Sequence, residues 1–161
     1  MGLSSGRAFP SNSMHWTGLF DSCAIAGRKQ SSRRKLMADN YRITVTTRTV
    51  FIPDQSDEGA ERFVFAYTIN IANHGQIPVQ LISRRWVIID ANQRVQEVRG
   101  LGVVGEQPLL RPGEQFEYTS GTAIATPVGS MRGSYQMVAE DGSPFEAEIP
   151  EFILAVPRVL H

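Results

Sequence analysis

From Tyr41 onward the chain alternates apolar and polar side chains, which is the pattern of β-strands that bury one face. Turn residues, among them Pro112-Gly113 and Asp141-Gly142, separate the alternating runs. Short strands at this spacing predict an all-β chain, an antiparallel β-sandwich of immunoglobulin or fibronectin type III-like type with seven to eight strands. The predicted strands are 42–49, 63–71, 81–90, 92–99, 115–124, 133–140, 144–149 and 152–156.

The third predicted strand carries a tryptophan beside two arginines. Neighbouring residues of a strand point to opposite faces, so Arg84 and Trp86 share one face and Arg85 lies on the other. We expect Trp86 to be buried on the same side as Ile82 and Ile88, with the stem of Arg84 packed nearby. The alternative is an exposed recognition patch of arginine and tryptophan.

A tyrosine in the predicted strand 133–140 matches a second feature of such sandwiches. Tyr135 stands two residues before Met137, as the tyrosine of a tyrosine corner stands before the second cysteine. In a tyrosine corner the tyrosine hydroxyl bonds to the backbone a few residues upstream, and the spacing here is similar.

The segment GLGVVG at 100–105 has the GxGxxG spacing of dinucleotide-binding loops. In those loops the glycines open a helix. Pro108 and Pro112 lack an N–H and push the preceding residues away from helical geometry, so a helix cannot follow here. We therefore predict a loop between strands, with Val103 and Val104 filling the core, and no dinucleotide site.

The same segment could bind an anion in another way. Successive backbone amides near residues 102–105 can form a nest for phosphate or pyrophosphate, with Arg99 or Arg111 adding charge. The candidate ligand-binding residues are Gly100, Gly102, Gly105, Glu106 and Arg111.

Charge divides the chain of 161 residues into two parts. Residues 1–39 hold six basic and two acidic residues and both lysines, without regular periodicity, and we predict a disordered basic extension. Residues 40–161 hold ten arginines and fourteen acids and form the predicted sandwich domain. A mildly acidic domain without lysine argues against a nucleic-acid partner.

Cysteine usage and hydropathy indicate the compartment. Cys23 is the one cysteine in the sequence, so no intrachain disulfide can form, which fits a reducing cytoplasm. No apolar run approaches the length of a membrane-spanning helix, so we expect a cytoplasmic protein without a membrane span.

Neither metal ligands nor catalytic pairs recur at a useful spacing. His74 stands alone in a turn, and Asp54, Asp57 and Glu58 lack the order of a calcium loop. Ser120 has no histidine placed to activate it. We therefore predict no metal site, no cofactor and no catalytic residue.

Longer motifs give the chain a family resemblance. They are VVGEQP at 103–108, LRPGE at 110–114, FEYTSG at 116–121, MRGSYQM at 131–137 and PRVLH at 157–161. Residues 41–161 resemble the ApaG family, whose domain also occurs in eukaryotic F-box proteins and in a polymerase-delta-interacting protein. The resemblance implies a fibronectin type III-like sandwich, and bacterial members are linked genetically to cobalt resistance and magnesium efflux. It carries no catalytic residue to this chain.

Taken together, these features predict a non-enzymatic binding or interaction module, and the family resemblance implies that it takes part in cobalt and magnesium homeostasis. Its partner is expected to be another protein, with a small anionic ligand as a further option and with self-association through an edge strand left open. The alternative is a protein that binds or hydrolyses phosphate compounds or dinucleoside polyphosphates at the loop 100–105.

Overall fold

The structure, a computed structural model, describes residues 40–158 and consists almost entirely of strands in two antiparallel sheets. The predicted all-β sandwich is therefore confirmed. The predicted extension at 1–39 lies outside the described residues. The strands are β1 (Ile43–Phe51), β2 (Phe63–Asn73), β3 (Val79–Asp90), β4 (Val95–Leu101), β5 (Leu109–Leu110), β6 (Gln115–Ile124), β7 (Val128–Ala139) and β8 (Pro144–Ala155), with a 3₁₀ turn at Pro53–Gln55.

The two sheets contain three and five strands. The first has the order β1-β2-β6, and the second has the order β4-β3-β7-β8 with the short β5 beside β3. β4 remains in the sheet of β3, whereas an immunoglobulin constant domain moves its fourth strand to the other sheet. Within 40–158, no helix has the length and apolar character needed to cross a membrane.

The core lies between the sheets, where the predicted alternation places it. Phe65, Ile69 and Ile71 of β2 are buried, and Trp86 of β3 is 2% exposed. The Trp86 ring meets three aromatic rings edge-on, at centroid distances of 5.4 Å for Tyr67, 6.5 Å for Tyr135 and 5.9 Å for Phe152. The buried interpretation of Trp86 is thus confirmed.

A β-bulge in β3 corrects the prediction for Ile82. The register between β3 and β7 shifts between Leu81 and Ser83. Leu81 is fully buried, while Ile82 is only half-buried. The extra residue reverses the phase of the strand, so Leu81 before it and Trp86 after it reach the same core.

A second bulge joins two predicted strands into one. β8 runs without interruption through Pro150, and its register against β7 shifts between Met131 and Gly133. Ile149 and Phe152 thereby both face the core despite being three residues apart. Proline is tolerated there because β8 lies at the edge of its sheet.

The spacing of Tyr135 resembles that of a tyrosine corner, but its hydroxyl has a side-chain partner. The Tyr135 hydroxyl forms a buried hydrogen bond of 2.5 Å with the hydroxyl of Tyr118 from the other sheet. Burial raises the pKa of both tyrosines well above the usual value, most strongly for Tyr135. The pair therefore links the two sheets through the core, and its burial favours the protonated hydroxyls.

Gly133 provides a test of the packing beside Trp86. A Cβ at Gly133 would lie 2.1 Å from the Arg85 carbonyl oxygen and 3.1 Å from the Trp86 ring. We expect Gly133→Ala to lower the free energy of unfolding by about 1–3 kcal/mol. In the control Gly121→Ala the nearest atom lies 3.6 Å away, so denaturant titration should show a change within about 0.5 kcal/mol. Equal effects would contradict the packing described.

The tyrosine pair predicts alkaline sensitivity. Because the folded pKa values exceed the unfolded value, the stabilisation is complete below about pH 10 and is lost as the pH rises beyond it. Tyr118→Phe leaves the Tyr135 hydroxyl buried without this partner and should cost about 1–3 kcal/mol. The double variant with Tyr135→Phe should cost less than the sum of the single changes and should flatten the decline above pH 10. Urea titrations across pH measure both effects, and additive costs would argue against the pair.

Candidate functional site

The glycine segment forms a tight β-hairpin turn after β4. Val103 N donates to Glu106 O at 2.8 Å, and Glu106 N donates to Val103 O at 2.9 Å. The two central residues, Val104 and Gly105, have φ of 44° and 80°, as a type I′ turn requires. The predicted loop between strands is confirmed, and the geometry is unlike the strand-to-helix turn of a dinucleotide site.

The two valines of this turn lie in opposite environments. Val103 is fully buried, as expected, but Val104 is 55% exposed, so the prediction that both fill the core is wrong for Val104. A positive φ is strained for a β-branched residue, and type I′ turns favour asparagine or glycine at that position. Val104 therefore combines backbone strain with an exposed apolar side chain.

Several hydrogen bonds hold the segment in place. Gly102, with φ of 60°, donates its N–H to Ile82 O at 2.8 Å. Arg84 Nη1 donates to the carbonyl oxygens of Leu101 at 3.1 Å and Gly102 at 2.7 Å, and its guanidinium lies against Gly100. Arg84 was predicted only as a packed stem; its role as an anchor has no signal in the sequence.

The predicted anion-binding residues are divided among β4, the hairpin turn and the turn at 111–114. Gly100 lies near the end of β4, and Gly102 and Gly105 belong to the hairpin. Glu106, also in the hairpin, is exposed. The amides of Gly102, Val103 and Glu106 all donate to backbone carbonyls, which leaves those of Val104 and Gly105 to serve a nest. The anion site remains a prediction.

Arg111, the fifth candidate, belongs to the predicted turn at Pro112-Gly113. Glu114 N donates to Arg111 O at 2.9 Å, and Gly113 has φ of 85°, which confirms glycine at the third position of the turn. The Arg111 guanidinium lies 3.6 Å from the Glu114 carboxylate, so its charge is already partly balanced.

Exposed apolar side chains lie in the hairpin turn and on either side of it along the chain. Leu101 is 77% exposed, Val104 55% and Leu109 51%. All three fall within nine consecutive residues, and we call them the apolar tip. Clustered exposed apolar side chains are typical of protein-binding surfaces.

A groove of about 420 Å³ adjoins the hairpin at its β4 side. Two of its arginines, Arg85 and Arg99, bind the same carboxylate, that of Glu97. These hydrogen bonds, the one from Arg85 first, hold the pKa of Glu97 below its usual value. We call this the arginine groove; its lining residues are Ser83, Arg84, Arg85, Arg99, Gly100, Leu101 and Gln136.

A second groove, of about 390 Å³, crosses the outer face of the five-stranded sheet. Its lining includes two arginines, Arg85 and Arg132, and two glutamates, Glu146 and Glu148. Sequence reasoning missed this groove because its residues come from three strands whose register the sequence did not reveal.

The described part of the chain contains no group of three or more histidine, cysteine, aspartate or glutamate residues that could hold a metal ion. His74 is exposed in the turn after β2. Asp57 instead supports its own turn, accepting the amide of Ala60 at 3.1 Å.

Comparison with known proteins gives consistent results. The family model described as the ApaG domain matches residues 53–139. Protein ApaG of Nitrosospira multiformis is 68% identical over 121 residues, covering 75% of this chain and 95% of the relative. Protein ApaG of Bordetella pertussis is 55% identical over 130 residues, covering 81% and 99%. The crystal structure of the putative ApaA protein from Bordetella pertussis is 56% identical, with a TM-score of 0.73, covering 75% and 98%.

The strain at Val104 predicts a stabilising substitution. Val104→Asn keeps the type I′ turn and removes a β-branched side chain from positive φ, so the free energy of unfolding should rise by about 1 kcal/mol. The matched control is Val128→Asn, which changes a similarly exposed valine in β7, where asparagine is disfavoured. Denaturant titration should show stabilisation only for Val104→Asn. A loss of stability in both variants would show that Val104 is not strained.

Proposed function

Because the chain belongs to the ApaG domain family, we propose that it acts as the family resemblance implies, as a non-catalytic binding module, and that it docks another protein on the apolar tip. The observation that carries the proposal is Val104, an exposed valine in a strained backbone conformation. An unstrained residue at this position would make the fold more stable.

A residue that destabilises the fold is expected where it serves binding. Strained backbone positions concentrate at functional sites, and stabilising changes there commonly reduce function. Val104 gains little burial in return for its strain, since more than half of its side chain meets solvent. A partner that covered Val104 together with Leu101 and Leu109 would supply the missing burial.

The tip is also rigid enough to bind without a large ordering cost. Gln107 Nε2 donates to Ile82 O at 2.9 Å, and Gln80 Nε2 donates to Gln107 O at 3.2 Å. Together with the hydrogen bonds from Arg84 to the Leu101 and Gly102 carbonyls, these contacts hold residues 101–107 against β3 both before and after the hairpin turn. A preorganised surface loses less conformational entropy on association.

We assign the role in cobalt and magnesium homeostasis to the same docking step. In this proposal the module acts on a partner protein that handles the cations. The module itself does not bind the metal ion. The lack of a metal-ligating cluster among residues 40–158 supports the proposal that the partner binds the ion.

A second candidate is a phosphate-bearing ligand in the arginine groove. Arg84, Arg85 and Arg99 line it together with Gly100, and Glu97 is the acid bound to two of them. Guanidinium groups bind phosphate oxygens in paired hydrogen bonds. Dinucleoside polyphosphates carry such groups, and the groove lies beside the predicted glycine loop.

The docking proposal predicts that stability and binding change in opposite directions. The full chain would be used to capture partners from cells, and the captured protein would be purified for affinity measurement. Val104→Asn should weaken binding about tenfold or more while raising stability, because a polar side chain replaces an apolar anchor. Val128→Asn should bind as the unmodified chain does.

Unchanged affinity in Val104→Asn would overturn the docking proposal. A separate experiment tests the second candidate, the phosphate-bearing ligand in the arginine groove. Pyrophosphate and a dinucleoside polyphosphate are each added to the isotope-labelled chain, and the NMR amide shifts of residues 99–113 are measured. Amide shifts that Arg99→Gln abolishes would favour the anion. In cells that lack the protein, Val104→Asn should also fail to restore growth on cobalt.

A further inference from the structure

One side of β4 has no neighbouring strand among the described residues, and the register shows which groups face that side. At one end of β4, Gly102 N donates to Ile82 O, and at the other end Asp90 N donates to Arg94 O. Bonded pairs alternate along an antiparallel ladder, so even-numbered residues of β4 bond to β3. The N–H and C=O groups of the odd-numbered residues, Val95 to Leu101, therefore point away from the sheet.

The sequence of β4 is complementary to itself when it is reversed about Val98. We propose that β4 pairs with β4 of a second copy of this chain, antiparallel, with a two-fold axis at Val98. Residues then face each other at positions that sum to 196, so an odd-numbered residue always faces another odd-numbered residue. These are the residues whose backbone groups point to the open side, and the pairing gives them partners. The Leu101 carbonyl differs from the others, since it already accepts a hydrogen bond from Arg84.

Charges match across this axis. Glu97 of one copy stands opposite Arg99 of the other, and the reverse holds on the other side of the axis. Within one chain, Arg85 stands directly opposite Arg99, an unfavourable pairing of like charges that Glu97 relieves by binding both arginines. The second copy adds a carboxylate, that of its Glu97, directly opposite Arg99 on the side away from Arg85.

The ends of the pairing are apolar. Val95 stands opposite Leu101 of the second copy, and these two side chains are 65% and 77% exposed in the single chain. Both lie on the outer face with Glu97 and Arg99, because residues two apart share a face. Each end of the seam therefore buries one valine against one leucine.

The other edges are less suited to self-pairing. β8 contains Pro150 and carries glutamates at 146, 148 and 151, and the Thr49 hydroxyl of β1 donates to the Ile153 carbonyl of β8, which brings these two edges together. β6 has Glu117 as its one charged residue, so no reversal pairs it with an opposite charge. β4 contains neither proline nor lysine, the residues that commonly protect an edge.

The test is a charge swap measured by analytical ultracentrifugation of the full chain over a concentration series. The unmodified chain should sediment at twice its 17.8 kDa mass at high concentration. Glu97→Arg and Arg99→Glu should each raise the dimer dissociation constant about tenfold or more, because like charges then face each other. The double variant should restore the dimer, since each arginine again faces a glutamate. An equimolar mixture of the two single variants should form a mixed dimer.

The control is Arg132→Glu, which makes the same kind of charge change on an exposed residue of β7 on the same outer face. It should dimerise as the unmodified chain does. Circular dichroism and thermal unfolding confirm that each variant is folded. A monomer at all concentrations would overturn the proposal, as would single variants that associate as strongly as the unmodified chain. Loss of dimer in Arg132→Glu would place the contact elsewhere on the sheet and would also overturn it.

Discussion

The packing of Trp86 between the sheets determines most of the architecture. Its ring lies among Tyr67, Tyr135 and Phe152, which come from both sheets, and it fits because Gly133 stands opposite it on β7. Both register shifts of the five-stranded sheet lie close to this residue. In β3 the shift turns Trp86 inward, and in β8 it turns Phe152 inward. Without them one strand would present Arg85 to the core, and the other would present Glu151.

These bulges also mark what sequence reasoning could and could not predict. The alternation of apolar and polar residues identified the long strands, because every second residue of a strand faces the core. Pro112-Gly113 identified the turn in which it lies. The phase change in β3 is ambiguous because Leu81 and Ile82 are both apolar and adjacent. In β8 the spacing of three between Ile149 and Phe152 suggested two strands, although a single strand with one extra residue has the same pattern. The two-residue β5 is too short to have a period.

In the candidate site too, the sequence predicted the backbone conformation but not the environments of the side chains. Glycines and prolines predicted a turn at residues 100–105 and excluded a helix, because both act on the backbone locally. Side-chain environments in the turn depend on tertiary contacts. Nothing in the pair Val103-Val104 tells which valine is buried, and the Arg84 bonds to the Leu101 and Gly102 carbonyls depend on the pairing of β3 with β4. The tyrosine pair was missed for the same reason, because Tyr118 and Tyr135 belong to different sheets.

The proposed self-pairing and the proposed docking surface are coupled through β4. The hairpin turn follows β4 directly, so an antiparallel pair of β4 strands places the two turns at opposite ends of the seam. Leu101 would then be shared, since it closes the seam against Val95 of the second copy and also belongs to the apolar tip. Val104 and Leu109 lie beyond the paired residues and stay free for a partner. A dimer would thus offer two copies of a smaller surface, and a partner with two matching sites would bind it with an avidity that neither site provides alone.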